Sequence, residues 1–399
     1  MKTYIIGAGF SKSYEKSPTL LKMPLANEIF KTYNQLDISS NPNVLVGDII
    51  NYVGQVYNIS PLEFINFNMN IEDLHSEIEE KLNEALLKDN FLDKVTYYRV
   101  YNQLVFLFTS VINEIQNGPI SKAHYNFIET IEDNDSIITF NWDTLIDRAL
   151  KEHTNWNIDT GYLVQPHIIY RNKWDENNKN DIFPLKLIKL HGSTNWLTSH
   201  TSFDHDDGSI KLSHKDNLDR FYAYEFANEP YSCYRGRYLG VYEDFSYGYY
   251  PPNIPEDGLE APPGHVFVRM AQKTPFTPVG SSNESGLVSM PLIIPPIKHK
   301  KYSFFGSLFP SLWEYAQKSI EIADKIIILG YSFPKTDVKT NDLFMNAFLK
   351  RKSIPDIVIV NPFPDSIYHK FVYELGIPEK KIVIFKEYID EGFDFKKLI

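Results

Sequence analysis

The chain has 399 residues, of which 43% are hydrophobic and 15% aromatic, which is enough for one α/β core with large insertions or for two domains. Its formal net charge of −11 argues against non-specific binding of nucleic acid by the whole surface, because phosphate contacts need clustered lysine and arginine. The single cysteine, Cys233, excludes an intrachain disulfide and a four-thiolate zinc site, and it fits a reducing compartment.

The sequence predicts neither a targeting segment nor a membrane span. It opens Met1-Lys2-Thr3 and continues directly into an apolar strand, without a cleavage-site pattern. The longest apolar run, near Leu104–Phe108, is far below the roughly 20 residues that span a bilayer. We therefore expect a soluble, cytoplasmic protein.

The first predicted element is a strand that ends in a glycine-rich turn. Thr3-Tyr4-Ile5-Ile6 is a short apolar run, and Gly7-Ala8-Gly9-Phe10-Ser11 interrupts it at once. A buried strand followed by such a turn is typical of the start of a nucleotide-binding α/β unit.

The next part of the chain is mainly helical. Leu25, Ile29 and Tyr33 recur at intervals of four residues, and Tyr98 to Ile115 predicts a longer apolar helix. These helices exceed what one crossover between parallel strands needs. We therefore predict a helical insertion at about residues 40–120.

Two more buried strands are predicted at Ser136–Thr139 and Leu185–Leu190, with a helix at Thr144–Glu152 between them. Residues from about 193 to 296 differ from the rest, because they are rich in Tyr, Pro, Gly, Asp and Ser and lack long periodic runs. This second insertion is either an ordered, loop-rich subdomain or partly mobile, and the sequence leaves both possibilities open.

Strands and helices alternate again in the last part of the chain. Strands are predicted at Lys325–Leu329, Asp356–Val360 and Lys381–Phe385, and helices at Leu308–Ala323, Asn341–Lys350 and Asp365–Leu375. Buried strands that alternate with helices predict an α/β fold, namely a Rossmann-like doubly wound parallel sheet.

Polar residues follow five of the predicted strands at the point where each strand ends. In an open parallel sheet this edge is where ligands bind. The five segments are Gly7–Ser11, Asn141–Asp143, His191-Gly192, Gly330–Ser332 and Asn361.

The turn at Gly7-Ala8-Gly9 allows backbone N–H groups to approach a diphosphate; the alternative is a tight strand–helix turn without a ligand. A dehydrogenase fingerprint would have a third glycine where this chain has Lys12, and an acidic residue after a second strand, whereas residues 25–33 look helical. Hydride transfer is therefore disfavoured.

Asn141, Asp143 and His191 are the candidate reactive side chains. An asparagine at this edge can orient a ribose hydroxyl or a water, an aspartate can accept from an amide, and a histidine suits general-base work. The alternatives are that Asn141 or Asp143 caps the next helix, and that His191 is a hydrogen-bonded structural residue.

The motifs resemble the sirtuin signatures, and most of all those of the divergent bacterial sirtuin-like branch found in anti-phage defence proteins. They occur in the same order and span residues 7 to 361. The matching segments are Gly7-Ala8-Gly9-Phe10-Ser11, Thr139-Phe140-Asn141-Trp142-Asp143, Lys189-Leu190-His191-Gly192-Ser193, Gly330-Tyr331-Ser332 and Val360-Asn361.

This resemblance implies one sirtuin-like NAD-binding domain over residues 1–399, with NAD as the substrate. Asn141 and His191 are then the catalytic residues. The diphosphate, the riboses and the nicotinamide carboxamide would be bound by Gly7, Ala8, Gly9, Phe10, Ser11, Asp143, Gly330, Ser332 and Asn361.

Two departures from the sirtuin pattern bear on the reaction. Sirtuin deacylases usually carry Gln where this chain has Phe140, and they usually hold zinc through four cysteines, of which only Cys233 is present here. The resemblance therefore implies NAD hydrolysis without a metal. The alternatives are an NAD-dependent protein deacylase and a non-catalytic sensor of NAD or ADP-ribose.

The resemblance also implies partners. Stand-alone sirtuin-like defence subunits deplete NAD in abortive infection, so we expect a homo-oligomer docked on a separately encoded partner. A HerA-like DNA-translocating ATPase comes first and a nucleotide-signal-binding protein second, and no direct contact with nucleic acid or membrane is expected. The two insertions are the candidate subunit contacts, because aromatic residues are enriched in interfaces.

Overall fold

A computed structural model describes residues 1–36, 46–88, 90–170, 174–177, 179, 184–199, 201–203, 210–212, 221–225, 289–294, 307–334 and 337–399. The start of the predicted helical insertion and most of the stretch from 193 to 296, including Cys233, lie outside the described residues. Within the described part, no helix is both long and apolar enough to cross a membrane.

The described residues contain thirteen strands. In chain order they are β1 (Lys2–Ile6), β2 (Ser136–Thr139), β3 (Ile168–Tyr170), β4 (Trp174–Glu176), β5 (Lys186–Lys189), β6 (Gly192–Ser199), β7 (Thr201–Phe203), β8 (Ile210–Leu212), β9 (Tyr222–Tyr224), β10 (Ser289–Ile293), β11 (Lys325–Leu329), β12 (Asp356–Val360) and β13 (Ile382–Phe385).

Ten α-helices accompany these strands in the described part of the chain. They are α1 (Ala8–Ser11), α2 (Ile29–Tyr33), α3 (Gly47–Tyr57), α4 (Ile71–Leu87), α5 (Phe91–Gln116), α6 (Lys122–Ile128), α7 (Leu145–His153), α8 (Leu308–Ile322), α9 (Val338–Lys350) and α10 (Asp365–His369). Short 3₁₀ segments lie at Glu63–Asn66, Glu379–Lys381 and Phe395–Leu398, and a π-helical turn at Lys370–Glu374 follows α10.

Six strands form the main sheet in the order β13-β12-β11-β1-β2-β5, and all of them run parallel. β11 and β12 are almost continuous Ile, Leu and Val and are buried, as expected for a parallel sheet covered on both faces. The predicted Rossmann-like doubly wound sheet is confirmed. The strand order reverses between β1 and β11, and ligands bind at such a switch point.

Helices α2 to α5 pack around a second hydrophobic core, separate from the core that the main sheet forms with the helices packed on it. α5 begins seven residues earlier than the predicted Tyr98, because the side chain of Asn90 accepts the N–H of Asp93 and caps the helix. α2 begins only at Ile29, since the Glu28 carboxylate turns back to accept the N–H of Leu25.

A second, five-stranded sheet has the order β10-β6-β9-β3-β4. The sequence predicts a loop-rich stretch from Ser193 onward, and β6, which pairs antiparallel with β10, was not predicted. Trp196 of β6 is fully buried and packs edge-on against Tyr162 and tilted against Phe221. In the described part of this stretch the aromatic residues therefore stabilise a packed sheet.

The turns after β1 and β11 meet backbone to backbone. The N–H of Gly9 donates to the carbonyl of Gly330 at 3.0 Å, and the N–H of Gly7 donates to the carbonyl of Leu329 at 3.1 Å. Gly330 has φ +61°, and a Cβ there would lie 2.4 Å from the Phe10 nitrogen. Only glycine fits this contact, because the obstructing atoms are backbone.

We expect Gly330→Ala to lower the free energy of unfolding by roughly 2–4 kcal/mol, the sum of left-handed backbone strain and overpacking. Gly376→Ala is the matched control, since Gly376 has φ +68° but nothing within 4 Å of an added Cβ, and it should cost about 1–2 kcal/mol. Urea unfolding of both variants measures the difference. Equal losses would show that the contact with Gly9 is not what requires glycine.

Candidate functional site

Asn141 joins the loop after β2 to the turn after β1. Its side-chain Nδ2 donates to the carbonyl of Gly7 at 2.9 Å and to Ser11 Oγ at 2.7 Å. Its own N–H donates to Thr139 Oγ1 at 3.1 Å, which holds the residue just past the end of the strand. The carboxyl ends of β1 and β2 are therefore connected through one amide group.

Ser11 passes this connection on to Asp143. The Ser11 hydroxyl donates to Asp143 Oδ2 at 2.6 Å, while Asp143 Oδ1 accepts the N–H of Leu145 at 3.1 Å. Asp143 thus stands one residue before the N-cap Thr144 and satisfies the first N–H of α7, and it also belongs to the cluster with Ser11 and Asn141. The two roles coexist in one carboxylate, because its two oxygens offer about four acceptor positions.

Asp143 is buried, and burial raises the pKa of its carboxyl above the ordinary value. The charge of Lys189 and the hydrogen bonds from Ser11 and the N–H of Leu145 act in the opposite direction. The desolvation of the charged form outweighs these partners. An ionised Asp143 is therefore held at a cost in stability.

Lys189 supports this loop from inside the protein. The side chain is fully buried, and Nζ donates to the carbonyl of Asp143 at 2.6 Å and to Asp147 Oδ2 at 3.0 Å. Asp147 also accepts from the Tyr162 hydroxyl at 2.5 Å. Lys189 belongs to one of the sequence motifs, but no role was predicted for it. The signal for one was a lysine in a strand otherwise buried, which needs a charged partner.

Gln116, the last residue of α5, contacts the same loop from the helical region. Its Oε1 accepts from the N–H of Thr144 at 2.8 Å and from the Thr144 hydroxyl at 2.9 Å. Its Nε2 donates to Thr194 Oγ1 at 3.1 Å. Sequence reasoning missed Gln116, because these contacts join residues that are far apart in the chain.

His191 lies after β5 and is buried. The Gly192 that follows has φ +78°, and a Cβ there would lie 2.1 Å from the carbonyl oxygen of Leu292. Glycine therefore lets the chain turn beside β10, where the carbonyl of His191 accepts the N–H of Ile294 at 2.8 Å. The histidine backbone is fixed on both sides.

Aromatic rings and one carboxylate surround the imidazole. The Phe140 ring meets it edge-on at 5.3 Å between centroids and stacks on Tyr331 at 4.2 Å. Asp337 Oδ2 lies 3.7 Å from His191 Nε2 and accepts from the Tyr331 hydroxyl at 3.1 Å. Asp337 lies outside every sequence motif and was not predicted.

The remaining predicted residues lie at different depths. Ala8 and Ser332 are exposed at the tips of the two touching turns. The side chain of Phe10 lies in the core against Phe127, so only its backbone faces the turn. Asn361 follows β12, two strands from β1, and its Oδ1 accepts the N–H of Phe363 at 2.8 Å within its own turn.

The described residues bring together no group of three or more His, Cys, Asp or Glu side chains that is arranged to hold a metal ion. The polar cluster at the sheet edge consists of an amide, a hydroxyl and a carboxylate. Such a cluster can orient hydroxyl and amide groups of a bound molecule and can hold a water molecule.

No family model matches this sequence, and no curated protein matches it. Among solved structures, the chain is similar to a Sir2 homolog–NAD complex, with 13% identity over 98% of this chain and 86% of that chain and a TM-score of 0.34. It is also similar to mutant Sir2 homologues in complex with ADP-ribose and with 2′-O-acetyl ADP-ribose, each at 14% identity over 75% of this chain and 74% of that chain, with TM-scores of 0.33 and 0.32. Likeness at this level carries no argument about the activity of the chain.

We expect Asp143→Asn to gain stability relative to the wild type as the pH rises. A carboxyl whose folded-state pKa is raised above 3.8 contributes stability at low pH that is lost as the pH passes through the folded pKa, and an amide has no such loss. Urea unfolding at about pH 4, 5, 6 and 7 measures the difference between the two proteins.

Asp342→Asn on the exposed face of α9 controls for the loss of one negative charge. A variant that instead loses stability against the wild type with rising pH would mean that Lys189 and Ser11 hold Asp143 as a favoured carboxylate.

Proposed function

We propose that this chain is a sirtuin-like NAD⁺ glycohydrolase, which cleaves the nicotinamide–ribose bond to give nicotinamide and ADP-ribose. The observation that carries the proposal is the hydrogen-bonded cluster of Asn141, Ser11 and Asp143 beside the switch point of a parallel sheet, with His191 after the next strand. This arrangement supplies an orienting amide, an acceptor for a carboxamide and a candidate base. These groups suit the cleavage of a nicotinamide–ribose bond.

The reaction consumes one water molecule. The bond between ribose C1′ and the nicotinamide nitrogen breaks, and its electron pair stays with the nicotinamide ring, which leaves as a neutral molecule. The water oxygen forms a bond to C1′, and the proton that it loses goes to His191 and then to solvent. Asn141 orients the ribose and the water, because geometry supplies much of the rate in such sites.

Asp143 binds the nicotinamide carboxamide through its carboxylate. The two bonds that it accepts in the protein, from Ser11 and the N–H of Leu145, leave further acceptor positions on its oxygens. The bond from Leu145 anchors one carboxylate oxygen to the start of α7, and the bond from the Ser11 hydroxyl holds the other. A carboxamide N–H thus meets an acceptor that is fixed in place.

The touching turns after β1 and β11 bind the diphosphate and its neighbouring ribose. The N–H groups of Gly7 and Gly9 already donate to Leu329 and Gly330, so these two glycines serve the close approach of the backbones. Ala8 and Ser332 are the exposed residues of the turns, and they contact the phosphates. Asn361, further along the sheet edge, binds the adenosine ribose.

Hydrolysis is favoured over deacylation by Phe140 and by the cysteine content. Phe140 stands where sirtuin deacylases usually have glutamine, and its ring packs against Tyr331 and His191. With Cys233 alone in the sequence, the four-cysteine zinc module that helps form an acyl-peptide groove is missing. Water is then the acceptor that remains for the ribose carbon.

We expect the purified, activated protein to release nicotinamide and ADP-ribose from NAD⁺ without an acylated peptide. Asn141→Ala and His191→Ala should each lower the turnover by about 10²–10⁴-fold, because each removes a group that acts on the reacting ribose or water. Chromatography of the products measures both the rate and the identity of what is released.

Asn346→Ala and His369→Ala, which change the same residue types at exposed positions, should leave turnover unchanged. Nicotinamide release that needs an acylated lysine peptide would establish the deacylase instead. Tight binding of NAD⁺ without any cleavage would establish the sensor.

We also propose that NAD⁺ depletion serves anti-phage defence by abortive infection, in the cytoplasm. Free hydrolysis of NAD⁺ would poison the cell, so the enzyme needs a trigger, and a separately encoded subunit delivers it. A HerA-like ATPase is the first candidate partner and a nucleotide-signal-binding protein the second. The helical insertion and the stretch from about 193 to 296 provide the surfaces.

The isolated chain should form a homo-oligomer in solution, because the two insertions are rich in aromatic residues, which are enriched in interfaces. Light scattering coupled to gel filtration measures the molar mass, which should be a multiple of the 46.4 kDa chain. A strictly monomeric protein with full, unregulated NADase activity would overturn the proposed regulation.

A further inference from the structure

We propose that Asp337 is the positioning residue for His191: its carboxylate orients the imidazole and stabilises the imidazolium that forms when His191 accepts a proton. The proposal rests on the proposed function in so far as it takes His191 as the base. No motif of the sequence analysis includes Asp337.

The two side chains form a buried pair. Asp337 Oδ2 lies 3.7 Å from His191 Nε2, and the side chains are only 5% and 8% exposed. A carboxylate this close to an imidazole favours its charged form, which burial alone would disfavour, and little water screens the attraction within the pair. The distance is that of an ion pair formed on protonation.

The Asp337 carboxylate is not used to cap the helix that it precedes. It stands at the N-cap of α9, where an aspartate side chain usually accepts a backbone N–H of the first turn, yet it makes no such side-chain bond. The N–H groups of Thr340 and Asn341 donate to its main-chain carbonyl instead. The carboxylate turns away from the helix and toward Tyr331 and His191.

Tyr331 fixes the carboxylate. Its hydroxyl donates to the same Oδ2 that faces His191, and its ring is stacked on Phe140 at an interplanar angle of 11°. The Phe140 ring in turn meets the imidazole edge-on. Asp337, Tyr331 and Phe140 therefore form a continuous wall along one side of His191.

Several other charged or titratable groups surround this wall in the described part of the protein. Lys189, on the strand before His191, is directed to Asp143 and Asp147. Lys339 of α9 lies over the Trp313 ring, which is tilted against the imidazole at 6.2 Å. Among the carboxylates, Asp337 lies at an ion-pair distance of 3.7 Å from His191 Nε2.

Nuclear magnetic resonance titration of ring-labelled histidine tests the proposal without any need for NAD⁺. His191→Gln identifies the resonance of His191. In Asp337→Asn the titration midpoint of His191 should fall by roughly one pH unit or more. In Tyr331→Phe, which keeps the carboxylate but removes its hydroxyl donor, it should move less. Asp337→Glu should restore most of the wild-type midpoint, and the exposed His369 should not move in any variant.

Kinetics provide the second measurement. In Asp337→Asn the acidic limb of the kcat–pH profile should move to lower pH by the amount that the resonance moves, and the plateau of kcat should fall about tenfold or more, because a weaker base takes the proton. KM should change much less than kcat. A purely structural role would lower the plateau without moving the limb.

An unchanged His191 midpoint in folded Asp337→Asn overturns the proposal, whatever the activity. A shifted midpoint with an unshifted acidic limb overturns it as well, because His191 would then be coupled to Asp337 but would not act as the base. The resonance measurement stands even if the wild type does not cleave NAD⁺. The failure of this inference and the failure of the proposed NADase function therefore give different results.

Discussion

The hydrogen bond from the N–H of Gly9 to the carbonyl of Gly330 sets the geometry of the whole sheet edge. It joins the turn after β1 to the turn after β11, at the position where the strand order reverses. Both positions need glycine, because a Cβ at either one would collide with the backbone of the other turn. With that turn fixed, Ser11 at the end of α1 stands within hydrogen-bond distance of Asn141 and Asp143. The candidate site therefore depends first on backbone packing.

Electrostatics form the second layer of the same construction. Lys189 and Asp147 are a fully buried ion pair, and the desolvation of such a pair consumes most of the free energy that its attraction supplies. The pair instead fixes one conformation of the loop after β2, because Lys189 Nζ also donates to the carbonyl of Asp143. The lysine also limits the rise in the pKa of the Asp143 carboxyl that burial causes.

The sequence predicted the strands of the main sheet well. Ser136–Thr139, Lys325–Leu329 and Asp356–Val360 are short, nearly continuous apolar runs, which are typical of strands buried on both faces of a parallel sheet. It also predicted that the polar residues Ser11, Asn141 and Asp143 would share one edge, since the carboxyl ends of parallel strands meet there. Asp337 and Gln116 could not be predicted, because a contact across many residues follows from tertiary packing alone. Phe10 is the converse case, since its place in a motif concealed that its side chain belongs to the core.

The helical region is tied to the candidate site by Gln116 and by the stacking of Phe108 on Trp142 at 4.9 Å. Gln116 satisfies the N–H and the hydroxyl of Thr144 and also contacts Thr194, all of them buried. Withdrawal of α5 would leave these groups without that partner, and a buried unpaired polar group costs about 1–3 kcal/mol. The order of the loop that carries Asn141 and Asp143 is thus coupled energetically to the position of α5. A displacement of α5 would therefore reach the loop that carries Asn141 and Asp143 through this hydrogen bond.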